Sequence, residues 1–162
     1  MKKILILLFI FYNFAFSNSL GLSQKDIVIL KKIKSLTNDN MMKYTLMALA
    51  IKESSVGKNQ INSVTNDFGI FQGNIKSVIR RQNVEDTQIT RKFLSKKLLG
   101  DAGFAMANAI EEINYWRKIH KENWPKIWAS YNTGWSYKTK TGLAYSNDVF
   151  DIIKKLKFEY NL

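Results

Sequence analysis

The amino-acid sequence predicts a single, mainly α domain with one small irregular or hairpin segment around residues 57–74. Apolar residues recur at steps of three and four along most of the chain, which is the period of an amphipathic helix. Glycine and asparagine break that period once, in the middle. A length of 162 residues with 46% hydrophobic composition suits one compact core and leaves little room for a second.

The N-terminus has the layout of a secretory signal peptide. Lys2 and Lys3 precede an apolar run over residues 4–16, and small polar residues follow it. The run is shorter than the roughly 20 residues that a membrane span requires. We therefore expect a signal peptide over residues 1–17, with cleavage as late as position 19, and an exported, periplasmic domain over residues 20–162. An uncleaved anchor, which would hold the protein at the membrane, is the alternative.

Two helices are predicted before the irregular segment. The first covers residues 27–36, and Ser23 or Asp26 is available to cap its start. The second covers residues 41–54 and ends before Gly57, a residue that is free to reverse the chain.

Helical spacing returns in the second half of the chain and predicts five more helices. They cover residues 75–81, 86–99, 104–120, 124–133 and 145–160. Asp101 can cap the third of these, and Pro125 stands in the first turn of the fourth, where its missing N–H does no harm. Gly134 is expected to end the fourth helix, and a polar turn over residues 138–142 to precede the last one.

The composition disfavours several classes of function. The chain has 25 Lys and Arg against 13 Asp and Glu, a formal net charge of +12, but these basic residues are spread along it. That spread argues against a nucleic-acid partner. An exported protein with this charge would instead meet anionic wall polymers and lipid head groups. There is no cysteine, and the single histidine, His120, is expected on the solvated surface, so we expect no metal site.

Glu53 is the first candidate for chemistry, because it ends the second predicted helix in line with the apolar stripe. Steps of four, three and four lead back along that stripe to Leu49, Leu46 and Met42. Partial desolvation and the negative end of the helix dipole both favour a protonated carboxyl there. A neutral carboxyl is what a general acid requires. The alternative is a side chain that turns outward and pairs with Lys52 or Lys58.

The irregular segment contributes the second candidate stretch. Residues 67–74 read Asp-Phe-Gly-Ile-Phe-Gln-Gly-Asn, and we expect short extended pieces at residues 61–62 and 69–72. Alternation along an extended piece would put Asp67 and Phe71 on one face, with a local turn needed for Gln72 to join them.

The third stretch lies at the end of the short helix after Pro125. Residues 129–134 read Ala-Ser-Tyr-Asn-Thr-Gly, so a phenol and an amide can face a cleft there. Trp135 follows and could stack on a sugar ring, whereas the tryptophans at 116, 124 and 128 have helical spacing and are expected mainly in the core.

Together the three stretches resemble the lytic transglycosylases of the soluble-transglycosylase (SLT) catalytic domain family. The pattern is Glu-Ser-Ser from Glu53, Asp-x-Gly-x-x-Gln-x-Asn from Asp67, and Ala-x-Tyr-Asn-x-Gly from Ala129, and it is closest to the small accessory enzymes of secretion systems and to phage enzymes. The resemblance covers roughly residues 44–135. It implies a lysozyme-like, mainly helical fold in two lobes, with a groove for a glycan strand of peptidoglycan and no cofactor.

The resemblance also implies roles for individual residues. Glu53 corresponds to the single catalytic acid, which protonates the bond between N-acetylmuramic acid and N-acetylglucosamine and then serves as the base that forms a 1,6-anhydro product. Substrate-side roles fall on Asp67, Phe71, Gln72, Tyr131 and Asn132, and on Ser54 through an orienting hydrogen bond. Tyr145 is a further candidate for a substrate contact, and the alternative is an aromatic residue of the core or of the helix start. Many family members have Met where Phe71 stands and Ile where Gly73 stands, so the floor of the site is expected to differ in shape.

Two other functions stay open at this stage. Asp67 could serve with Glu53 in a lysozyme-type muramidase, because retaining hydrolases use two carboxyl groups about 5–5.5 Å apart. A non-catalytic, exported wall-binding protein could use the same cleft only to hold glycan. In each case peptidoglycan is the expected partner, with secretion-system or other envelope proteins as further partners of a monomer.

Overall fold

A computed structural model describes residues 19–162, and the predicted signal peptide at residues 1–17 lies outside that range. Within it the chain forms seven α-helices, a short 3-10 helix and a three-stranded antiparallel sheet, which confirms the mainly α prediction. The elements are α1 Gln24–Lys34, α2 Asn40–Ser54, β1 Ile61–Asn62, β2 Asp67–Phe68, β3 Gly73–Asn74, α3 Ile75–Gln82, α4 Gln88–Gly100, α5 Ala102–His120, α6 Trp124–Thr133, the 3-10 helix Gly134–Ser136 and α7 Lys140–Phe158.

Side-chain caps decide where these helices begin. Ser23 and Asp26 act together as a capping box, so α1 begins three residues before the predicted position. Asp101 caps α5 as predicted, its carboxylate accepting from the N–H of Phe104 at 2.9 Å. The last predicted helix is present as α7, but its predicted start was wrong. Thr139 caps the helix, so the expected polar turn over residues 138–142 already contains its first residues.

The helices form two lobes that α5 joins. Helices α1, α2, α6 and α7 pack on one another, the sheet packs with α3 and α4, and α5 contacts both groups. Leu46 and Leu49 of α2, Ile113 of α5, Ile127 of α6 and Leu156 of α7 are all fully buried. Ser54, the last residue of α2, donates a hydrogen bond to the carbonyl of Ile70 in the sheet turn, so the C-terminal end of α2 reaches the boundary between the lobes. None of the helices within residues 19–162 is long and apolar enough to cross a membrane.

The small sheet turns sharply between its second and third strands. Ile61 pairs with Phe68 in β1 and β2, and Phe68 pairs with Gly73 in β3. The extended piece predicted at residues 69–72 was wrong. Gly69 has a φ of +85°, and its carbonyl accepts from the N–H of Gln72 at 3.0 Å, which reverses the chain into a tight turn.

Candidate active site

A cleft of about 750 Å³ lies between the two lobes. The end of α2, the turn of the sheet, α3, α5 and α6 line it. Six of the eight residues predicted for the site are in its walls: Glu53, Asp67, Phe71, Gln72, Tyr131 and Asn132. The structure thus brings together three stretches that are far apart in the sequence.

Glu53 lies at the floor of this cleft as a partly buried carboxyl. The hydroxyl of Tyr145 donates a short hydrogen bond to its Oε1. Burial raises the pKa of Glu53 above its ordinary value, the hydrogen bond from Tyr145 opposes that effect, and the nearby charge of Asp67 adds to it. The balance leaves Glu53 with a raised pKa, as a general acid needs.

The outward pairing considered for Glu53 does not occur. The ammonium of Lys52 lies 2.5 Å from a carboxylate oxygen of Asp148. The ammonium of Lys58 lies 2.8 Å from Asp26, where it holds the pKa of that buried carboxylate at about 2. Both lysines therefore contact other acids, and Glu53 keeps its place in the cleft.

Tyr145 lies behind Glu53 and not in the cleft wall. It is buried in the second turn of α7, and its phenol reaches Glu53 from the side away from solvent. Burial and the adjacent carboxylate raise its pKa well above the ordinary value of a tyrosine, so the phenol stays a hydrogen-bond donor. Tyr145 thus contacts Glu53 directly and does not line the cleft itself.

Ser54 is buried behind the cleft, and its hydroxyl makes hydrogen bonds to the backbone. It is 1% exposed and does not line the cleft. Its hydroxyl donates to the carbonyl of Ile70 at 2.7 Å and accepts from the N–H of Gly57 at 2.8 Å. These bonds fasten the end of α2 to the turn of the sheet, so Ser54 orders the site from behind and has no free surface for a sugar.

The turn of the sheet is held by side chains from both of its ends. Asp67 accepts from the hydroxyl of Thr65 at 2.5 Å and from the amide of Asn74 at 2.8 Å. The hydroxyl of Tyr131 donates to the carbonyl of the buried Phe71 at 2.9 Å and so ties α6 to this turn. Burial, followed by the charge of Glu53, raises the pKa of Tyr131 well above that of free tyrosine, which keeps this donor protonated.

Two polar or aromatic groups on the α6 side face the open cleft. Asn132 is exposed, and no side chain of residues 19–162 hydrogen-bonds to its amide. Trp135 is 67% exposed and meets Trp116 edge to face, with the ring centres 5.2 Å apart. A free amide beside a braced, exposed indole is suited to binding a sugar ring.

The sequence reasoning missed a polar network on the opposite wall. Arg81 of α3 donates to Asn108 at 3.2 Å and, by a short contact, to Glu112. The indole N–H of Trp116 donates to the other oxygen of Glu112 at 2.7 Å. The spacing of these residues could have predicted the network. Asn108, Glu112 and Trp116 are four residues apart and therefore lie on one face of α5. The same reasoning singled out Glu53 on α2.

His120 is not the solvated surface residue that we expected. Its Nε2 lies 2.8 Å from the hydroxyl of Ser130, which lines the cleft, and its ring stacks on Trp116 at 5.8 Å between centres. Burial lowers the pKa of His120, with a smaller contribution from Lys126. The imidazole therefore packs behind the cleft wall as an uncharged ring at neutral pH.

The charge of the cleft is opposite to that of the chain as a whole. Four carboxyl side chains line it, against two guanidinium groups, although the formal net charge of the chain is +12. The acids are Glu53, Asp67, Glu111 and Glu112, and the bases are Arg80 and Arg81. Neighbouring carboxylates disfavour ionisation of one another, and for Glu53 the contribution of Asp67 has this direction.

Comparison with known proteins agrees with this architecture. The family model described as the transglycosylase SLT domain matches residues 32–149, well over half of the chain. An uncharacterised 20.7 kDa protein encoded in the vs-regB intergenic region of Enterobacteria phage T4 is 28% identical over 120 residues, 70% of this chain and 62% of the phage protein, and no solved structure matches. The lysozyme-like helical fold implied by the resemblance is confirmed. The chain belongs to the transglycosylase SLT domain family.

Proposed function

We propose that the protein is a peptidoglycan lytic transglycosylase. In this proposal it cleaves the β-1,4 bond between N-acetylmuramic acid and N-acetylglucosamine and leaves a 1,6-anhydro-N-acetylmuramic acid end. Membership of the SLT family supports the substrate class. The observation that carries the proposal is Glu53, a carboxyl with a raised pKa at the floor of an inter-lobe cleft.

The first half of the reaction uses Glu53 as a general acid. The protonated carboxyl donates its proton to the glycosidic oxygen, and the bond from that oxygen to C1 of the muramic sugar breaks. The departing N-acetylglucosamine keeps the proton as its 4-hydroxyl. Positive charge develops at C1, and the new carboxylate of Glu53 lies in the same cleft to stabilise it.

The second half uses the same residue as a base. The carboxylate takes the proton of the muramic C6 hydroxyl, whose oxygen bonds to C1 and closes the anhydro ring. Glu53 is then protonated again, and no water has been consumed. The hydroxyl of Tyr145 holds the carboxylate in place through both transfers, because it donates to Oε1 from the buried side.

A muramidase is the second candidate, and Asp67 is the observation that favours it. Asp67 lines the same cleft as Glu53, and its charge contributes to the raised pKa of Glu53. Both of its oxygens accept hydrogen bonds, from Thr65 and Asn74, and this pattern supports a role in bracing the sheet turn. A non-catalytic wall-binding protein is the third candidate, since Asn132 and Trp135 could hold glycan without any reaction.

The products distinguish these candidates. We would incubate purified peptidoglycan with the protein and determine the masses of the released fragments. Fragments lighter by one water than the reducing ones support the transglycosylase, and reducing ends support the muramidase. Retained wall binding without released fragments would reject both enzymes in favour of a binding protein.

Two substitutions are expected to move the pH dependence of activity in opposite directions. Tyr145→Phe removes the donor that lowers the pKa of Glu53, so the alkaline limb of kcat/KM should move to higher pH. Asp67→Asn removes a charge that raises this pKa, so the limb should move to lower pH. Lost orientation of the carboxylate should also lower kcat of Tyr145→Phe by about tenfold. Shifts of the same sign in both variants would contradict the assigned roles.

Trp135 is expected to act on binding of the glycan. Trp135→Ala should raise KM for glycan strands by about tenfold with a smaller change in kcat, because an exposed aromatic ring contributes stacking and no proton transfer. Trp135→Phe should recover most of the loss. The measurement is release of soluble fragments at several strand concentrations, and a loss in kcat alone would remove Trp135 from the binding surface.

The site of action is part of the same proposal. The charged start and apolar run at residues 2–16 support export, and the periplasm is where peptidoglycan would be met. Secretion-system or other envelope proteins are proposed as further partners. Fractionation of cells, with N-terminal sequencing of the accumulated protein, tests the export; protein that stays cytoplasmic and full length would contradict it.

A further inference from the structure

Helix α4 carries an outer surface that neither the core nor the cleft uses. Its inner side buries Leu94 and Leu98. On the outer side, Ile89 is 82% exposed and Phe93 is 59% exposed. Residues four apart lie on the same face of a helix, so these two side chains form one apolar patch. No residue of α4 lines the cleft.

The patch is surrounded by positive charge. Helix α4 contains four basic residues and no acid. Arg91 pairs with Asp86 at 2.5 Å, but no carboxylate of residues 19–162 forms an ion pair with Lys92, Lys96 or Lys97. Three ammonium groups of α4 are therefore available to an anionic surface.

The positions of these lysines frame the apolar pair. Helical geometry places Lys92 and Lys96 along one edge of the Ile89 and Phe93 patch and Lys97 along the other. The ammonium of Lys97 lies 5.9 Å from the ring centre of Phe93 and 4.8 Å from that of Phe104. An apolar centre with amines on both edges matches the boundary between the acyl chains and the head groups of an anionic bilayer. The apolar stem of each lysine can lie along the acyl chains while its ammonium stays in water beside the phosphate groups.

We propose that α4 docks on an anionic phospholipid surface. Ile89 and Phe93 enter the boundary of the acyl chains, and Lys92, Lys96 and Lys97 contact the phosphate groups. Charge complementarity selects this occupant, since the formal net charge of +12 attracts the whole molecule to the same surface. The cleft stays open in this arrangement. The proposal does not depend on the reaction that the cleft carries out.

The test compares two variants that have equal changes in charge and that each replace one exposed apolar side chain with Ser. The first carries Lys92→Gln, Phe93→Ser and Lys96→Gln on α4. The control carries Val28→Ser, Lys31→Gln and Lys32→Gln on α1, where all three side chains are likewise exposed. Equal melting temperatures for the two variants and the parent show that the fold is intact.

The readout is co-sedimentation with vesicles of mixed phosphatidylglycerol and phosphatidylcholine, compared with phosphatidylcholine alone. All proteins are expressed as the 162-residue chain. Binding to the two vesicle types is compared by difference, because the apolar run at residues 4–16 would contribute to both. We expect the α4 variant to lose anionic binding by about tenfold or more and the control to stay within about twofold of the parent. Salt should weaken the binding of the parent.

Three results would overturn the proposal. Equal losses in both variants would mean that net charge alone drives binding. Equal binding of the parent to both vesicle types would remove the anionic preference. Binding to soluble polyglutamate that is as strong as binding to vesicles, and as sensitive to the α4 changes, would assign this face to an acidic polymer instead of a lipid surface.

Discussion

Replacing Glu53 with Gln should lower kcat for fragment release by about a thousandfold, because the amide can neither give nor take the proton in either half of the reaction. The side chain keeps its length and can still accept from the hydroxyl of Tyr145, so the cleft should keep its shape. The measurement is release of soluble fragments from purified peptidoglycan, with wall binding followed in parallel. Retained activity would remove Glu53 from the chemistry.

The same substitution makes a prediction for stability. Since the folded protein raises the pKa of Glu53 above its unfolded value, the parent loses stability as pH rises from the unfolded pKa through the folded one. The amide of the variant does not titrate, so Glu53→Gln should melt at the same temperature as the parent in acid and at a higher temperature at neutral pH. Such a gain in stability with a loss of activity is typical of a functional carboxyl held in an unfavourable environment. The quantity to compare is the melting temperature of the variant minus that of the parent. A smaller difference at neutral pH than in acid would contradict this prediction.

Gly69→Ala should have the largest effect on folding. A Cβ at this position would lie 2.3 Å from the carbonyl oxygen of Leu98, and the φ of +85° is one that alanine rarely adopts. Backbone atoms cannot give way without moving α4 or the sheet turn, so we expect a loss of about 3 kcal/mol or more in the free energy of unfolding. In a domain of this size that corresponds to a fall of about 10 °C in melting temperature.

Gly100→Ala is the matched control for Gly69→Ala. It changes the last residue of α4, where an added Cβ meets no atom within 4 Å and φ is not in the left-handed region. Its melting temperature should stay near that of the parent. Equal and small effects at both glycines would show that the turn between β2 and β3 does not approach α4 as closely as described.

Local pattern was enough to predict most of the helices and to single out Glu53, which lines the cleft. Apolar residues at steps of three and four along α2 show which face of the helix is buried. Glu53 was singled out because it is an acidic residue on that apolar face. Asp101 was found because a cap lies within three residues of the N–H that it serves. Both signals are contained in a few neighbouring residues.

Contacts between distant segments could not be predicted in the same way. Tyr145 and Glu53 are 92 positions apart. The apolar period of α7 shows that Tyr145 is buried, but it does not show that its hydroxyl contacts Glu53. The family resemblance implied an orienting hydrogen bond for Ser54, but it could not identify the partners, which are the carbonyl of Ile70 and the N–H of Gly57. The start of α7 was missed because a Lys, Thr and Gly-rich stretch reads as a turn unless the cap at Thr139 is recognised.

We propose that Glu53 transfers both protons and that the muramic C6 hydroxyl, not water, closes the reaction. The most direct test is digestion of peptidoglycan in heavy-oxygen water, followed by mass spectrometry of the fragments. The claim predicts anhydro ends that contain no heavy oxygen and that are absent when the Glu53→Gln variant replaces the parent. Heavy oxygen at C1 of the muramic sugar would contradict it and would make Asp67 the second carboxylate of a hydrolase.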